Sequence, residues 1–444
     1  MANDKDFLLK NAVEVGGPTK VTLGTVTNNN IDLATGNYFA DTPSGASTYT
    51  ISNAGDVQSF QLEVTGGTAE VAQNFSTTLY TGTGAAQTIT NDIDLAGDGG
   101  LVWVKSRNFT YGHALSDTEH TVGNYMSSNN TDPIQNGANA ISAFNSDGFS
   151  LGNDSYLNAS GSDIVSWTFK KEPSFFDVVT YTGTGSARTI SHNLGCEVGC
   201  IIVKAVSGAS LGGVSDWTVY HRGVDATNPE QYRLYLNTAG ARVDQTNPWN
   251  DTAPTSTEFT VGTDSYLNAN GDSYVAYLFA HDDAADGLIQ CGSYTGNSST
   301  DGPEIDLGWQ PQWLLIKAAT RPAGENWVIY DTQRGIVTGG GDPALFPNDT
   351  AAEDYGQSAD DSVDLLPTGF KITGSSGRVN DSYDYIYMAI RAASDLDLTW
   401  PSSIEWAGGI APSAPATGET DVFTLSTDDG GTSYVGVKTA DNLS

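Results

Sequence analysis

Basic residues are scarce in this chain. Its 444 residues include 19 Lys and Arg against 53 Asp and Glu, a net charge of −34. Such a surface is repelled by nucleic-acid phosphates and anionic lipid headgroups, which argues against a nucleic-acid partner. Cysteine is limited to Cys196, Cys200 and Cys291, an odd number that indicates no disulfide framework. The Cys-x3-Cys pair has no second pair to complete the four ligands of a closed zinc site. Apolar runs are short and none nears the ~18 residues of a membrane span, so no membrane insertion is expected. The opening MANDKDFLLKNAVEVGG has no basic start followed by an apolar stretch, as a signal peptide would. Helical periodicity sustained over a dozen residues is also missing.

What the chain does have is an internal repeat. Tyr80 opens YTGTGAAQTI, Tyr181 opens YTGTGSARTI and Tyr294 opens YTGNSSTDGP. Each is followed by a short apolar run ending in Lys, at Lys105, Lys204 and Lys317. An aromatic segment around Tyr111, Tyr220 and Tyr330 comes next. A polar stretch then carries NNT at Asn129, WNDT at Trp249 and PNDT at Pro347. A strand of alternating pattern closes each copy, with Phe149 and Leu151, Phe259 and Val261, or Phe370 and Ile372. DSYLNA follows at Asp154 and Asp264, and NDSYDYIYMAI at Asn380 stands in the comparable place.

Elements of 5–8 residues rich in Val, Ile, Thr, Tyr and Phe, punctuated by Gly, Asn and Asp, predict an all-β fold of short strands. Each copy is expected to be a jelly-roll-like β-sandwich with its own core, one bead of a string. The run SYVAYLFA at Ser273 is apolar on both faces, as in a central strand covered on both sides. The flanks differ. Phe60, Leu62 and Val64 alternate with polar residues, and DVFTLST and TSYVGVK bracket Asp428-Asp429-Gly430-Gly431 as a hairpin. Either flank alone is marginal in size, whereas together they can bury a core. The expected organisation is an N-terminal segment 1–19, a discontinuous β domain 20–72 plus 394–444, and inserted copies at 73–172, 173–283 and 284–393. Insertion at a loop tip is physically cheap.

KDFLLKNAVEVGG at Lys5, IDLATGNYF at Ile31, SFQLEVTGG at Ser59, TWPSSIEWAGG at Thr399 and the DDGGTSY hairpin are similar to segments of tail-fibre and related virion proteins of marine bacteriophages. The copies, with RTISHNLG at Arg188, YHRG at Tyr220 and YIYMAI at Tyr385, resemble a module that recurs in phage fibres. The resemblance implies a virion location and a non-enzymatic tail fibre or spike. Such a protein assembles as a homotrimer, contacts other tail, neck or capsid proteins, and attaches to host-surface glycan. It anchors to the particle through the segment 1–19. A capsid or neck decoration protein and a polysaccharide-degrading tailspike are the alternatives.

No motif for group transfer stands out. The TGTG segments lack the third Gly and the following helix of a phosphate loop and read as tight turns. His113, His120, His192, His221 and His281 show no metalloprotease spacing. No cofactor is expected. The acidic groups Asp282, Asp283 and Asp286; Asp360, Asp361 and Asp364; and Asp428 and Asp429 are candidate calcium loops, with solvated surface as the competing reading. Candidate glycan contacts are Trp217, Tyr220, Trp249, Trp327 and Tyr330, aromatics beside polar residues that could stack on a pyranose. The competing reading for these five is sandwich core.

Overall fold

The computed structural model describes residues 26–443 outside 28–29, 35–36, 42–46, 56–57, 66–69, 138, 208–214, 285–286, 337–338, 340, 356–361, 394–397, 408, 410 and 413–419. The expected anchor 1–19 lies outside the described residues. The chain divides into two compact units, Met1–Ala69 with Ser394–Ser444, and Glu70–Ala393.

The first unit joins the two flanks. Gln58–Thr65 pairs antiparallel with Thr420–Thr427, setting Leu62 opposite Phe423 and Phe60 opposite Leu425. The five-stranded sheet runs Tyr38–Asp41, Gln58–Thr65, Thr420–Thr427, Tyr434–Leu443, Ile404–Trp406. Period-two alternation places Phe60, Leu62, Val64, Phe423 and Leu425 on one face, where they pack with Phe39, Tyr49 and Trp400. The hairpin is closed by the Asp429 carboxylate, which accepts the backbone N–H groups of Thr432 and Ser433 at 3.0 Å each. These hydrogen bonds, led by the Ser433 hydroxyl, lower the Asp429 carboxyl to about 2. The discontinuous β domain therefore forms from both ends of the sequence.

In the second unit each copy is a two-layer β-sandwich with the same strand order in its main sheet. The first copy runs Phe75–Thr81, Asp163–Lys170, Gly100–Ser106, Ala114–Asp117. The second runs Phe176–Thr182, Ser273–Ala280, Val198–Ser207, Thr218–His221 and continues with two further strands. The third runs Ile289–Thr295, Asp384–Arg391, Pro311–Ala318, Val328–Asp331. The alternating strands supply the second layer. Phe149, Leu151, Phe259, Val261, Phe370 and Ile372 are buried, and Ser150, Thr260 and Lys371 between them are half-buried. Phe149 and Leu151 meet Val102, Val104 and Ile164 in the first core, and Phe370 and Ile372 meet Leu314, Ile316 and Tyr385 in the third. Each such side chain contributes roughly 1.5–3 kcal/mol on burial.

The repeated motifs have a shared structural job. The opening tyrosines donate their hydroxyls to a backbone carbonyl: Tyr80 to Leu157 at 2.9 Å, Tyr181 to Leu267 at 2.8 Å, Tyr294 to Val379 at 2.7 Å. One residue on, a fully buried asparagine ties the Gly-rich turn to the sandwich. Asn158 accepts from Thr83 N and donates to Ala85 O and Gly152 O. Asn268 does the same with Thr184 N, Ser186 O and Gly262 O. Asn380 repeats it with Asn297 N, Ser299 O and Gly374 O. The counterpart of DSYLN in the third copy is therefore Ser376–Asn380, not the later DSY. The connection from this asparagine to the following strand itself reads Asp381-Ser382-Tyr383 there, which produces the apparent match.

Two further sequence matches shift for similar reasons. Opposite the equivalent strand positions Val102, Ile201 and Leu314 stand Ser116, Tyr220 and Tyr330, so Tyr111 is not the partner of those tyrosines. The polar stretch aligns on Asn129, Asn237 and Asn348. Each accepts, through its side-chain oxygen, the backbone N–H of the residue before the fourth strand: His113, Trp217 or Trp327, respectively. Trp249-Asn250 belongs to a later loop of the second copy.

Candidate functional site

The main sheets are apolar on both faces, and only one face meets its own second layer. Trp103, Trp167 and Phe169, Ile202, Tyr277 and Phe279, and Trp313, Leu315 and Met388 are all buried on the other side. A sheet covered on one side only would leave these rings in water. The copies resolve this by packing on each other. Phe169 of the first copy lies 5.5 Å from Phe279 of the second and 5.9 Å from Trp313 of the third, between ring centroids. The expected string of independent beads is replaced by a ring closed through a shared core.

The polar ties run round this ring in one direction. Val206, Ala319 and Arg107 accept, through their backbone carbonyls, the N–H groups of Ile134, Arg242 and Glu353, joining second to first, third to second and first to third. The lysine that ends each apolar run reaches across the same junction. Lys204 Nζ donates to Thr131 O at 2.9 Å, Lys317 Nζ to Ala239 O at 3.0 Å, and Lys105 Nζ to Thr350 O at 3.4 Å. All three ammonium groups are inaccessible to solvent. Their other acceptors include the carbonyls Ser215 O, Glu325 O and Ser106 O, and Lys204 also reaches the Ser215 hydroxyl at 3.4 Å. Burial lowers each lysine to about 8; nearby Asp349 and Glu353 oppose this at Lys105.

A second tie crosses each junction from the central strand. Trp167 Nε1 donates to Asp331 Oδ2 at 2.9 Å, and Tyr277 Oη donates to Asp117 Oδ2 at 2.7 Å. Met388 occupies the matching position in the third copy and has no donor. There His221 replaces the aspartate, and its Nε2 donates to the Tyr387 carbonyl at 3.0 Å. Burial pushes His221 down to about 3, so it serves as a neutral donor. The first–third junction also holds Arg334 between Asp331 at 2.6 Å and Glu353 at 3.1 Å, with Arg107 on Glu353 at 2.7 Å.

The five aromatics expected to meet glycan are interior. Trp217 is 0% exposed, Tyr220 4%, Trp249 1%, Trp327 2% and Tyr330 0%, which leaves no ring face for a pyranose. Trp217 and Trp327 donate their indole N–H groups across junctions, to Ser127 O at 3.0 Å and Tyr235 O at 2.9 Å. Tyr220 packs edge-on against Trp249 with centroids 5.8 Å apart. The repeated tryptophan of Trp-x-x-Tyr thus marks ring closure, and its tyrosine fills the core of its own copy.

Among the described residues, no three His, Cys, Asp or Glu side chains are grouped to hold a metal ion. Asp286, Asp360 and Asp361 fall outside those residues. Asp282 accepts the N–H of Ala284 within a turn, and Asp364, in the strand Val363–Leu366, accepts that of Gly339. His113 faces Phe346 and Arg334 of the third copy, accepts from Trp103 Nε1 at 2.9 Å, and is held well below its usual range by burial and then by Lys105.

A family model described as a domain of unknown function (DUF7483) matches residues 70–393. That span is the unit containing the three copies, and the chain belongs to this family. Among curated proteins, none matches the chain.

Proposed function

We propose that this chain is a structural protein of a bacteriophage virion, a tail fibre or spike that attaches to host-surface glycan without catalysis. The observation that carries the reading is the architecture: a closed ring of three sandwiches inserted in the sequence between the two segments of a flank domain. A flank domain made from both chain ends suits anchorage to the particle, and a rigid inserted ring suits presentation of a surface. The sequence resemblance of the flanks and copies to phage fibre segments supports the same assignment. Attachment then works by multivalency, since each added weak contact becomes effectively intramolecular after the first. Assembly as a homotrimer, which multiplies those contacts, belongs to this reading and is checked by native mass spectrometry.

A second reading, capsid or neck decoration, draws on the ring itself. Three equivalent junctions in one chain match a site of threefold symmetry on a particle.

Immunogold electron microscopy of intact particles distinguishes the two. Label on a tail appendage, together with block of phage adsorption by soluble chain, is the expected result. Label on the capsid or neck with unimpaired adsorption would favour decoration, and particles without label would contradict both.

A further inference from the structure

Clustered exposed aromatics are uncommon on a soluble surface. The first copy carries one such cluster. Phe109 and Tyr156 are 40% and 41% exposed, and Tyr111 is half-buried between them. Ring centroids are 5.6 Å apart from Phe109 to Tyr111 and 5.2 Å from Tyr111 to Tyr156. Tyr125, itself buried, backs the end of the strip 6.4 Å from Tyr156. Successive planes differ by 34°, 35° and 36°, so the rings form a continuous tilted strip.

The strip is held in place. Asn108 Oδ1 accepts Asp163 N at 3.0 Å, and Ser106 Oγ accepts Phe109 N at 3.1 Å. Lys105 Nζ reaches Phe109 O at 3.4 Å. On the other side Asp154 Oδ1 accepts Tyr156 N at 2.7 Å and Leu157 N at 3.2 Å. A backbone fixed in this way needs little ordering when something binds the rings it carries.

The other copies cover the same region with their own cations. Arg233 lies over Tyr235 at 4.9 Å and Tyr266 at 5.7 Å and pairs with Asp264 at 2.7 Å. Arg378, at the position of Tyr156, lies over Phe346 at 4.9 Å. The first copy has Tyr125 in place of Arg233. Among the described residues no guanidinium or ammonium lies over Phe109, Tyr111 or Tyr156.

We infer that the strip Phe109–Tyr111–Tyr156 is the glycan contact of this protein and takes a neutral polysaccharide, an inference that rests on the attachment reading above. Adjacent ring faces match the flat C–H faces of successive pyranose units, and the tyrosine hydroxyls at the rim meet sugar hydroxyls. The net charge of −34 repels uronate-rich or sulfated chains, which selects uncharged sugar.

The test uses the full chain and saturation-transfer NMR with cellohexaose, maltohexaose and mannohexaose as neutral probes. A polygalacturonate hexamer and hexa-arginine are the charged probes. At least one neutral hexamer is expected to bind, and the polygalacturonate hexamer is not. The variant F109A/Y111A/Y156A should weaken binding at least about tenfold with an unchanged thermal midpoint, while Y111F/Y156F keeps most of it. Binding of none of the neutral hexamers, binding of hexa-arginine alone, or full binding by the triple alanine variant would overturn the inference. Adsorption competition separates it from the reading beneath it. If wild type and triple variant block phage adsorption equally, attachment stands and the strip is not its site. If neither blocks, attachment itself fails.

Discussion

Trp167 in the first copy donates its indole N–H to the carboxylate of Asp331 in the third, at 2.9 Å, with both side chains out of solvent. This bond joins residues 164 positions apart, so nothing local in the sequence announces it. It is one of the ties that convert a linear triplication into a closed ring. Its counterpart Tyr277 to Asp117 keeps a ring donor and a carboxylate, whereas the His221 junction has the donor and acceptor roles exchanged.

Removing that donor tests the junction. Trp167→Phe keeps a ring in the core but strips a hydrogen bond from a buried carboxylate, which Arg334 continues to hold. A loss of about 1.5–3 kcal/mol is expected in urea unfolding of the second unit. Phe109→Leu, an exposed change outside the junctions, should stay within about 0.5 kcal/mol.

Much of the fold was legible in the sequence because it rests on local periodicity. Alternation of Phe149 and Leu151 with Ser150 gave the buried strand, and Phe60, Leu62 and Val64 gave the flank strand that meets Thr420–Thr427. The ring was not legible. Lys105, Lys204 and Lys317 read as polar ends of apolar runs, yet they are buried, each with one acceptor in another copy beside those in its own. Trp217 and Trp327 carried a repeat signal that fits core, junction or sugar site equally well until their N–H partners are seen. Tyr111 and Tyr156 lay in segments read as repeated, which pointed to the fold rather than to a strip carried by one copy, and Phe109 had no signal of its own.

The buried lysines give the second unit an unusual pH response. Each has a folded value of about 8, below the ordinary 10.5 expected in the unfolded chain. Between those values the unfolded chain binds more protons than the folded one, so stability rises with pH. Below about 8 both states are charged and the contribution is level. Buried Cys200 and Cys291, raised from 9.0 by burial, begin to act in the opposite direction near pH 9 and reduce the climb, and buried tyrosines such as Tyr277, raised well above 10 by burial and then by Asp117, do so above pH 10. Urea midpoints should therefore climb from pH 7.5 to 9.5. Lys204→Met should flatten that climb by up to one proton, and an unchanged slope would assign the response to other groups.

The asparagine at the Gly-rich turn is the most sensitive polar position within a copy. Asn268 satisfies Thr184 N, Ser186 O and Gly262 O from inside the sandwich. Asn268→Ala leaves buried backbone groups unpaired and is expected to lose roughly 2–3 kcal/mol by chemical denaturation. Asn270→Ala, two residues away and exposed, should be near neutral.

Ring closure is tested most directly by distance. Ser160, Asn270 and Ser382 are exposed and follow the equivalent asparagines Asn158, Asn268 and Asn380 by two residues. Pairs of spin labels at these positions, in a chain whose half-buried Cys196 is changed to Ser, report three separations by double electron–electron resonance. Three similar distances are predicted. A first-to-third distance near twice the other two would describe an open string and contradict the account.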